Sequence, residues 1–451
     1  MEEEVLVMDY MAECVHKYDK LMKEAHDFIW SHAETGYKEF VTSKYMEDIF
    51  ESLGYELIKA GDIPGFYTIL NTGREGPEIL VLGELDSLIC KEHPDANPQT
   101  GAVHCCGHSM QSATLVGIAA ALKEPGILDN WSGRIRLCAV PAEELIEIEY
   151  RTELMNQGII HYMGGKTEFL YRGYFDDVDL AFMIHTNVSK RAAVTPKRVG
   201  CLSKRVIYKG VSAHAGGSPW NGCNALYAAN LGLNAINAIR ETFPEKDLIR
   251  VHPIITQGGG AVNAIPDQVI VESYVRGATL DVIEKTNRKV NRALCGAALS
   301  LGANIDIQDI PGYAPVDTCE ELIDVVEEAV GMLPDMKFKR YTHCSTGSTD
   351  MGDLSTIMPV IHPSLPGAEG ILHGSNFIIP DAEKACSDSA IVQLYMLDIL
   401  LKNNAKKAEL IVKNFKPQFE SREAFFECIN RLKHSGNRIE YGDNGTVKIE
   451  L

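Results

Sequence analysis

The chain has 451 residues, 45% hydrophobic and 23% charged, with a formal net charge of −19. That length exceeds what one core ordinarily supports and predicts two domains with room for a tail. The acidic balance argues against a nucleic-acid binder, whose phosphate partner needs a basic face; it marks solubility and names no substrate. No run of about 18 apolar residues is present to span a membrane, and the amino end Met1-Glu2-Glu3-Glu4-Val5 is acidic where a signal peptide is positive. The 12 cysteines stand singly except at Cys105-Cys106, which fits a reducing, cytoplasmic setting better than a disulfide framework.

From Asp9 to Leu53 apolar residues recur at three- and four-residue intervals, the pattern of helix. Glu78-Ile-Leu-Val-Leu-Gly-Glu-Leu-Asp86 is a continuous apolar run of the length of a buried parallel strand. Next comes the loop Val103-His104-Cys105-Cys106-Gly107-His108-Ser109-Met110, then a small-residue helix from Gln111 to Lys123 with Ser109 placed as its N-cap. A second strand, Arg134 to Val140, ends in Pro141-Ala142-Glu143-Glu144. Residues 145–177 read as helical, and a third strand, Asp179 to Ile184, ends at His185. Strands alternating with helices predict an α/β layer with a mainly parallel sheet. In such sheets ligands bind beyond the carboxyl ends of the strands, where Asp86, Glu143, Glu144 and His185 all fall.

The texture changes near Lys197. Cys201 to Lys209 alternates like a half-exposed strand and leads into Gly210-Val-Ser-Ala-His214-Ala-Gly-Gly-Ser-Pro-Trp220. A helix from Asn224 to Thr242 follows, then a strand over Gly258–Asp267 continuing through Arg276, a helix from Asp281 to Leu301 and a strand from Asn304 to Gln308. Two helices on an antiparallel sheet make a unit of inserted-domain size. After Pro311 the α/β texture returns, with a helix over Glu320–Met332, loops at Ser345–Asp353 and Ile371-Leu-His373-Gly-Ser-Asn, and a helix from Asp381 to Lys402. Residues 403–451 stand apart, with an amphipathic stretch and a hairpin signal at Gly442-Asp-Asn-Gly445. Repeats and low-complexity segments are absent.

Thiolate and imidazole are favoured ligands of zinc-like metals. Cys106 and His108 are two apart on a loop, a spacing that can turn both toward one ion. Glu143 and Glu144 are adjacent and so take different roles, one binding metal while the other acts as general base. His185 and His373 complete five ligands, enough for one ion or for two sharing a bridging thiolate. Asp86 is placed to orient a ligand from behind. Taken singly, each of these residues has a bland alternative: a buried thiol, a charge pair at a helix start, a structural histidine.

The motifs together resemble the aminoacylase/dipeptidase family of metallopeptidases and amidohydrolases. Val-His-Cys-Cys-Gly-His-Ser is similar to the metal loop of the auxin-amide hydrolase branch, and Pro141-Ala-Glu-Glu144 to the segment after the family's central strand. Gly210–Trp220 and Gly-Gly-Ala-Val-Asn-Ala-Ile-Pro-Asp267 resemble its lid motifs, and Gly347-Ser-Thr-Asp-Met-Gly-Asp-Leu-Ser355 the subgroup of aminobenzoyl-glutamate hydrolase and β-alanyl-lysine dipeptidase. The resemblance implies an α/β, zinc-peptidase-type catalytic domain (1–197 and 312–402), an inserted α+β lid and dimerisation domain of ferredoxin-like character (198–311) and an extension (403–451). It implies two divalent ions, zinc or manganese, bridged by Cys106 and held also by His108, Glu144, His185 and His373, with Glu143 as base and Asp86 behind. It implies a homodimer in which His214 reaches the partner's site, and a substrate carboxylate held by Asn263 and Arg276. The expected reaction is hydrolysis of an amide in an N-acyl amino acid, dipeptide or aminoaryl-glutamate. The residues alone also admit hydrolytic deamination or a non-catalytic binding protein. Ser109 departs from the family's Asp or Asn, Cys105 from its Ala, the stretch between Glu144 and His185 is longer, and the tail lies outside the resemblance.

Overall fold

The computed structural model describes residues 2–450. Its central sheet has six strands in the order Ile58–Lys59, Phe66–Asn71, Arg134–Val140, Glu78–Glu84, Leu180–Phe182 and Val360–Ile361. The last four run parallel, and the first two are joined antiparallel. Every residue of Glu78–Glu84 is buried, as an apolar run without alternation requires when helices cover both faces. The helix His108–Ala121 is apolar or small on all sides and is buried along its whole length. It packs on Glu78–Glu84 and against the helices Asp19–Ser31 and Ala382–Leu401. A Cβ on Gly117 would sit 2.1 Å from the Met22 sulfur, so the close helix contact depends on that glycine.

The second sheet is antiparallel. Gly200–Lys209 lies between Gln268–Gly277 and Asn304–Tyr313, and Arg250–Val251 with Ile254–Gln257 flank the far side of Gln268–Gly277. The helices Ala225–Ile239 and Leu280–Ser300 cover one face, their first turns closed by the Asn224 and Thr279 side chains. Lys204 is buried in this unit, hydrogen-bonded to Asn291 Oδ1 at 2.5 Å and paired with Asp309, whose other oxygen accepts from Asn287 and Asn291.

Several boundaries differ from those predicted. The strand expected over Gly258–Asp267 is a loop; the paired segments are Ile254–Gln257 and Gln268–Gly277. Three successive glycines, with Gly259 at φ +116°, and Pro266 give the intervening stretch no ladder to join. The metal-loop helix starts at His108, after Gly107 at φ +101°, so Ser109 lies inside the first turn and is not the cap. Residues 145–177 hold two short helices, Ile148–Asn156 and Gly165–Tyr171, broken at the glycines of 158–165. The strand after Asp179 stops at Phe182, and His185–Asn187 joins a separate four-stranded sheet with Ser364–Pro366, Ala192–Val194 and Phe338–Arg340.

The tail forms the helices Lys406–Asn414 and Arg422–Asn430 and the hairpin Ile439–Tyr441 with Val447–Ile449. Phe425, Phe426 and Ile429 pack with Tyr162 and Phe169 beside the central sheet. The chain then crosses to the second sheet and pairs along Asn304–Tyr313, with His434 and Asp309 exchanging bonds of 3.0 and 2.7 Å and Arg438 N donating to Ile305 O at 2.9 Å.

Candidate metal centre

Strand ends converge on one point. Asp86 follows Glu78–Glu84, and its carboxylate has two partners: Oδ1 lies 3.1 Å from His108 Nδ1, and Oδ2 accepts from the Glu144 backbone N at 2.7 Å. One buried carboxylate thus fixes both the imidazole and the turn after Arg134–Val140. That turn passes through Ala142 at φ +58°, a strained setting for a residue with a Cβ. Its N–H donates to Glu39 Oε1 at 2.8 Å and Arg151 binds its carbonyl, so the strain is held by buried partners. His373 enters from a distant loop at φ +63°, its N–H donating to Cys105 O at 2.9 Å.

Donor atoms of Cys106, His108 and His185 lie within 4.8 Å of one another, and so do those of Cys106, Glu144 and His373. The two triads share Cys106. Its Sγ is 3.4 Å from His185 Nε2, and Glu144 Oε1 is 3.1 Å from His373 Nε2. A third group, Glu84, His108 and Glu143, adjoins them. His108 Nε2 and Glu84 Oε2, 3.1 Å apart, and Glu144 Oε1 are buried and close to an opposite charge, yet none makes a well-aligned hydrogen bond. Buried polar atoms left without a good hydrogen bond are rare unless something else satisfies them, and a soft thiolate with imidazoles and a carboxylate is a set that zinc-like ions fit. His185 is held down to about 4 by burial and by His108, which keeps it in the neutral, ligating form. Burial, with Glu84 and Glu144 nearby, pushes Glu143 well above the usual carboxylate range, where it holds a proton readily.

The cluster floors a cavity of about 310 Å³ lined by Cys106, Glu143, Glu144, His185 and His373, with Arg276 on its wall. Arg276 donates to Ser348 Oγ at 3.2 Å and lies over the Tyr274 ring. All five expected ligands, Glu143, Asp86 and Arg276 are therefore brought together. His214 and Asn263 are not: both are exposed on the second unit and neither lines the cavity.

Sequence reasoning missed Lys166, the middle of a buried chain behind the site. Lys166 Nζ donates to Glu84 Oε1 and to Asp350 Oδ1, each at 2.5 Å, and all three side chains are buried. It missed Tyr313, whose buried hydroxyl has no partner, and Arg198, which lines the cavity together with His362. Glu84, two residues before Asp86 at the end of an apolar strand, carried a readable signal, as did Asp350 in the Ser345–Asp353 loop and His362 near His373 in the chain.

A sequence profile described as Peptidase family M20/M25/M40 matches residues 80–384. The Xaa-Arg dipeptidase of Mus musculus is 30% identical over 312 residues, 67% of this chain and 65% of that one. A p-aminobenzoyl-glutamate hydrolase chain of Escherichia coli is 28% identical over 289 residues, 62% of this chain and 56% of the other. The chain thus matches under two thirds of the length of both. A dinuclear metal-binding peptidase from Bacillus subtilis superposes with a TM-score of 0.62 at 18% identity, covering 86% of this chain and 99% of that structure, and shares the fold. Because the profile match takes in every residue of both triads together with the second sheet, the chain belongs to peptidase family M20/M25/M40.

Proposed function

We propose that the protein is a metal-dependent hydrolase that cleaves an amide bond beside a free carboxylate, in an N-acyl amino acid, dipeptide or aminoaryl-glutamate. The observation that carries this reading is the pair of donor triads sharing Cys106, with Glu143 beside them in the same cavity. Cys106, Glu144 and His373 would hold one divalent ion and Cys106, His108 and His185 a second, zinc or manganese. What such ions supply when bound is Lewis-acid chemistry.

The chain's own residues do the rest. Arg276 holds the substrate carboxylate by a charge-assisted pair and so sets the amide over the cluster. Glu143 takes the proton of the attacking water at its carboxylate and returns it to the departing nitrogen, completing the balance between the water consumed and the acid and amine released. Asp86 keeps the His108 ring turned toward the cluster.

His214 and Asn263 act, in this reading, in the cavity of a second copy. Their exposure supports it, as does the exposed apolar surface around them: Trp220 is 78% exposed, Tyr227 65% and Ile254 61%. We take residues 198–311 as the lid that carries this contact, and a reducing compartment as the setting, since all 12 cysteines are free.

Glu143→Gln is expected to abolish release of the two fragments, by a factor of about a hundred or more, while bound metal, counted by elemental analysis, stays within error of wild type. Retained turnover on substrates that wild type cleaves would overturn the mechanism; loss of metal would reassign Glu143 as a ligand.

A further inference from the structure

The antiparallel unit is joined to the α/β layer at two points that lie side by side. Val199 leads from Lys197–Arg198 into Gly200–Lys209, and Ala314 leads out of Asn304–Tyr313 toward Val316–Asp317. The flanking residues pair on both sides of the joints, Arg198 with Val316 and Cys201 with Tyr313. A Cβ on Gly200 would lie 2.6 Å from Tyr313 O, so the two linkers are in contact. Two adjacent links define a line about which a unit can turn, and hinges are built this way, from a few residues at element ends. What turning would change is the cavity. Cys201, Tyr274 and Arg276 reach its wall from the antiparallel unit, while the donor triads belong to the α/β layer. Beside the cavity the units touch through Arg276 and Ser348 at 3.2 Å, through Arg205 and Glu149 at 2.7 Å, and through a small apolar cluster at Leu145, Ile148 and Cys201.

The tail makes a third link, away from that line. On the α/β side, Gln418 N donates to Thr356 O at 2.8 Å, and Phe425 and Ile429 are buried beside the central sheet. Asn430 Oδ1 accepts from the Tyr162 hydroxyl at 3.0 Å. Leu432 already packs on Leu202 and Ile283 of the other unit. Ile439 is fully buried in that unit's core, and Ile307 N donates to Gly436 O at 3.1 Å. Only Arg431 separates the two anchors, so the chain between them has no slack. Asp309 and Ile305, where the tail is bonded, lie roughly 13 and 26 Å along the strand from Tyr313. A tie at that distance opposes turning with a long lever arm. Residues 418–441 lie beyond the family match, which ends at residue 384.

We propose that residues 431–441 are a strap that locks the antiparallel unit against turning about its paired linkers. The wall bearing Arg276 then stands at a set distance from the donor triads before substrate arrives. Binding does not have to order the two units, a cost that a loosely hinged enzyme meets at each encounter. The bearing on substrate rests on the amide-hydrolase reading above; the mechanical lock does not.

The test lengthens the strap without touching either anchor: about ten Gly/Ser residues are inserted after Arg431 in the zinc-loaded full chain. Spin labels in place of Glu51 and Arg292, one exposed on each unit, report the distance between units by double electron–electron resonance. Wild type is expected to give one narrow distribution, and the insertion a distribution about twice as wide or more. On an N-acyl amino acid or dipeptide that wild type cleaves, KM should rise by about fivefold or more while kcat stays within about threefold. A distribution that matches wild type overturns the inference, as does a wider one with KM unchanged. If wild type cleaves no amide, the amide-hydrolase reading fails and the distance distribution alone decides the strap. Should the insertion not fold, Arg438→Pro, which removes the N–H that bonds Ile305 O, is measured in the same way.

Discussion

Asp353 shows how a single buried group sets a pH response. Its carboxyl accepts from Ala314 N at 2.7 Å and from the Thr167 hydroxyl, and burial pushes it up to about 7 from an ordinary 3.8. Between those values the folded chain keeps a proton that the unfolded chain has released, so stability falls as pH rises through that window and levels off above it. Three units correspond to at most about 4 kcal/mol. Asp353→Asn mimics the protonated acid and should gain Tm relative to wild type as pH is raised from 5 to 8; a difference that stays constant over that range refutes the assignment. At this scale the residues of the two donor triads were legible because their types are chemically distinctive and fall at strand ends or in the Cys/His and His373 loops. Arg198 and Tyr313 were not, because a common residue type comes to line a cavity only through neighbours far along the chain.

At the level of elements, the stretch between Glu144 and His185 read as extra helical length with no role assigned. The structure gives it one: the helix Gly165–Tyr171 delivers Lys166 between Glu84 and Asp350. A plain lysine after two glycines carries no periodic signal, and its partners lie 82 and 184 residues away. Removing a cation from such a triad leaves two buried carboxylates facing each other. Lys166→Met is therefore expected to cost about 3–5 kcal/mol in urea unfolding; a change below about 1 kcal/mol would mean that water reaches the pair. Strands were the most readable elements, since continuous apolar runs such as Glu78–Glu84 have few other uses. Boundaries slipped where glycines intervened, as at Gly107 and Gly258–Gly260, because backbone freedom there is resolved by packing and not by local preference.

At the scale of the whole molecule, the division into an α/β layer and an antiparallel unit with two helices followed from the change of pattern near Lys197. The placement of the tail did not: its register against Asn304–Tyr313 is set by backbone bonds that carry no side-chain code. If the lid pairs two copies, the exposed strand Ile254–Gln257 and the Tyr227 side of Ala225–Ile239 supply the contact. Ile254→Lys, a charge on an open strand edge, should then shift the protein to monomer in sedimentation equilibrium. It should also lower kcat/KM by about tenfold or more, as His214 of one copy leaves the other's cavity. A monomeric variant with full activity would remove His214 from the reaction.

The crossing of the tail has a further effect. By laying 434–438 along Asn304–Tyr313, it seals one rim of the five-stranded sheet and leaves Ile254–Gln257 as the free rim. A sheet with two free rims can add copies in both directions and grow into a fibre, whereas a sheet with one can meet another only rim to rim, and the pair then has nothing left to offer. If copies of the chain meet at that rim, a segment remote from the reacting atoms thereby limits the assembly to two.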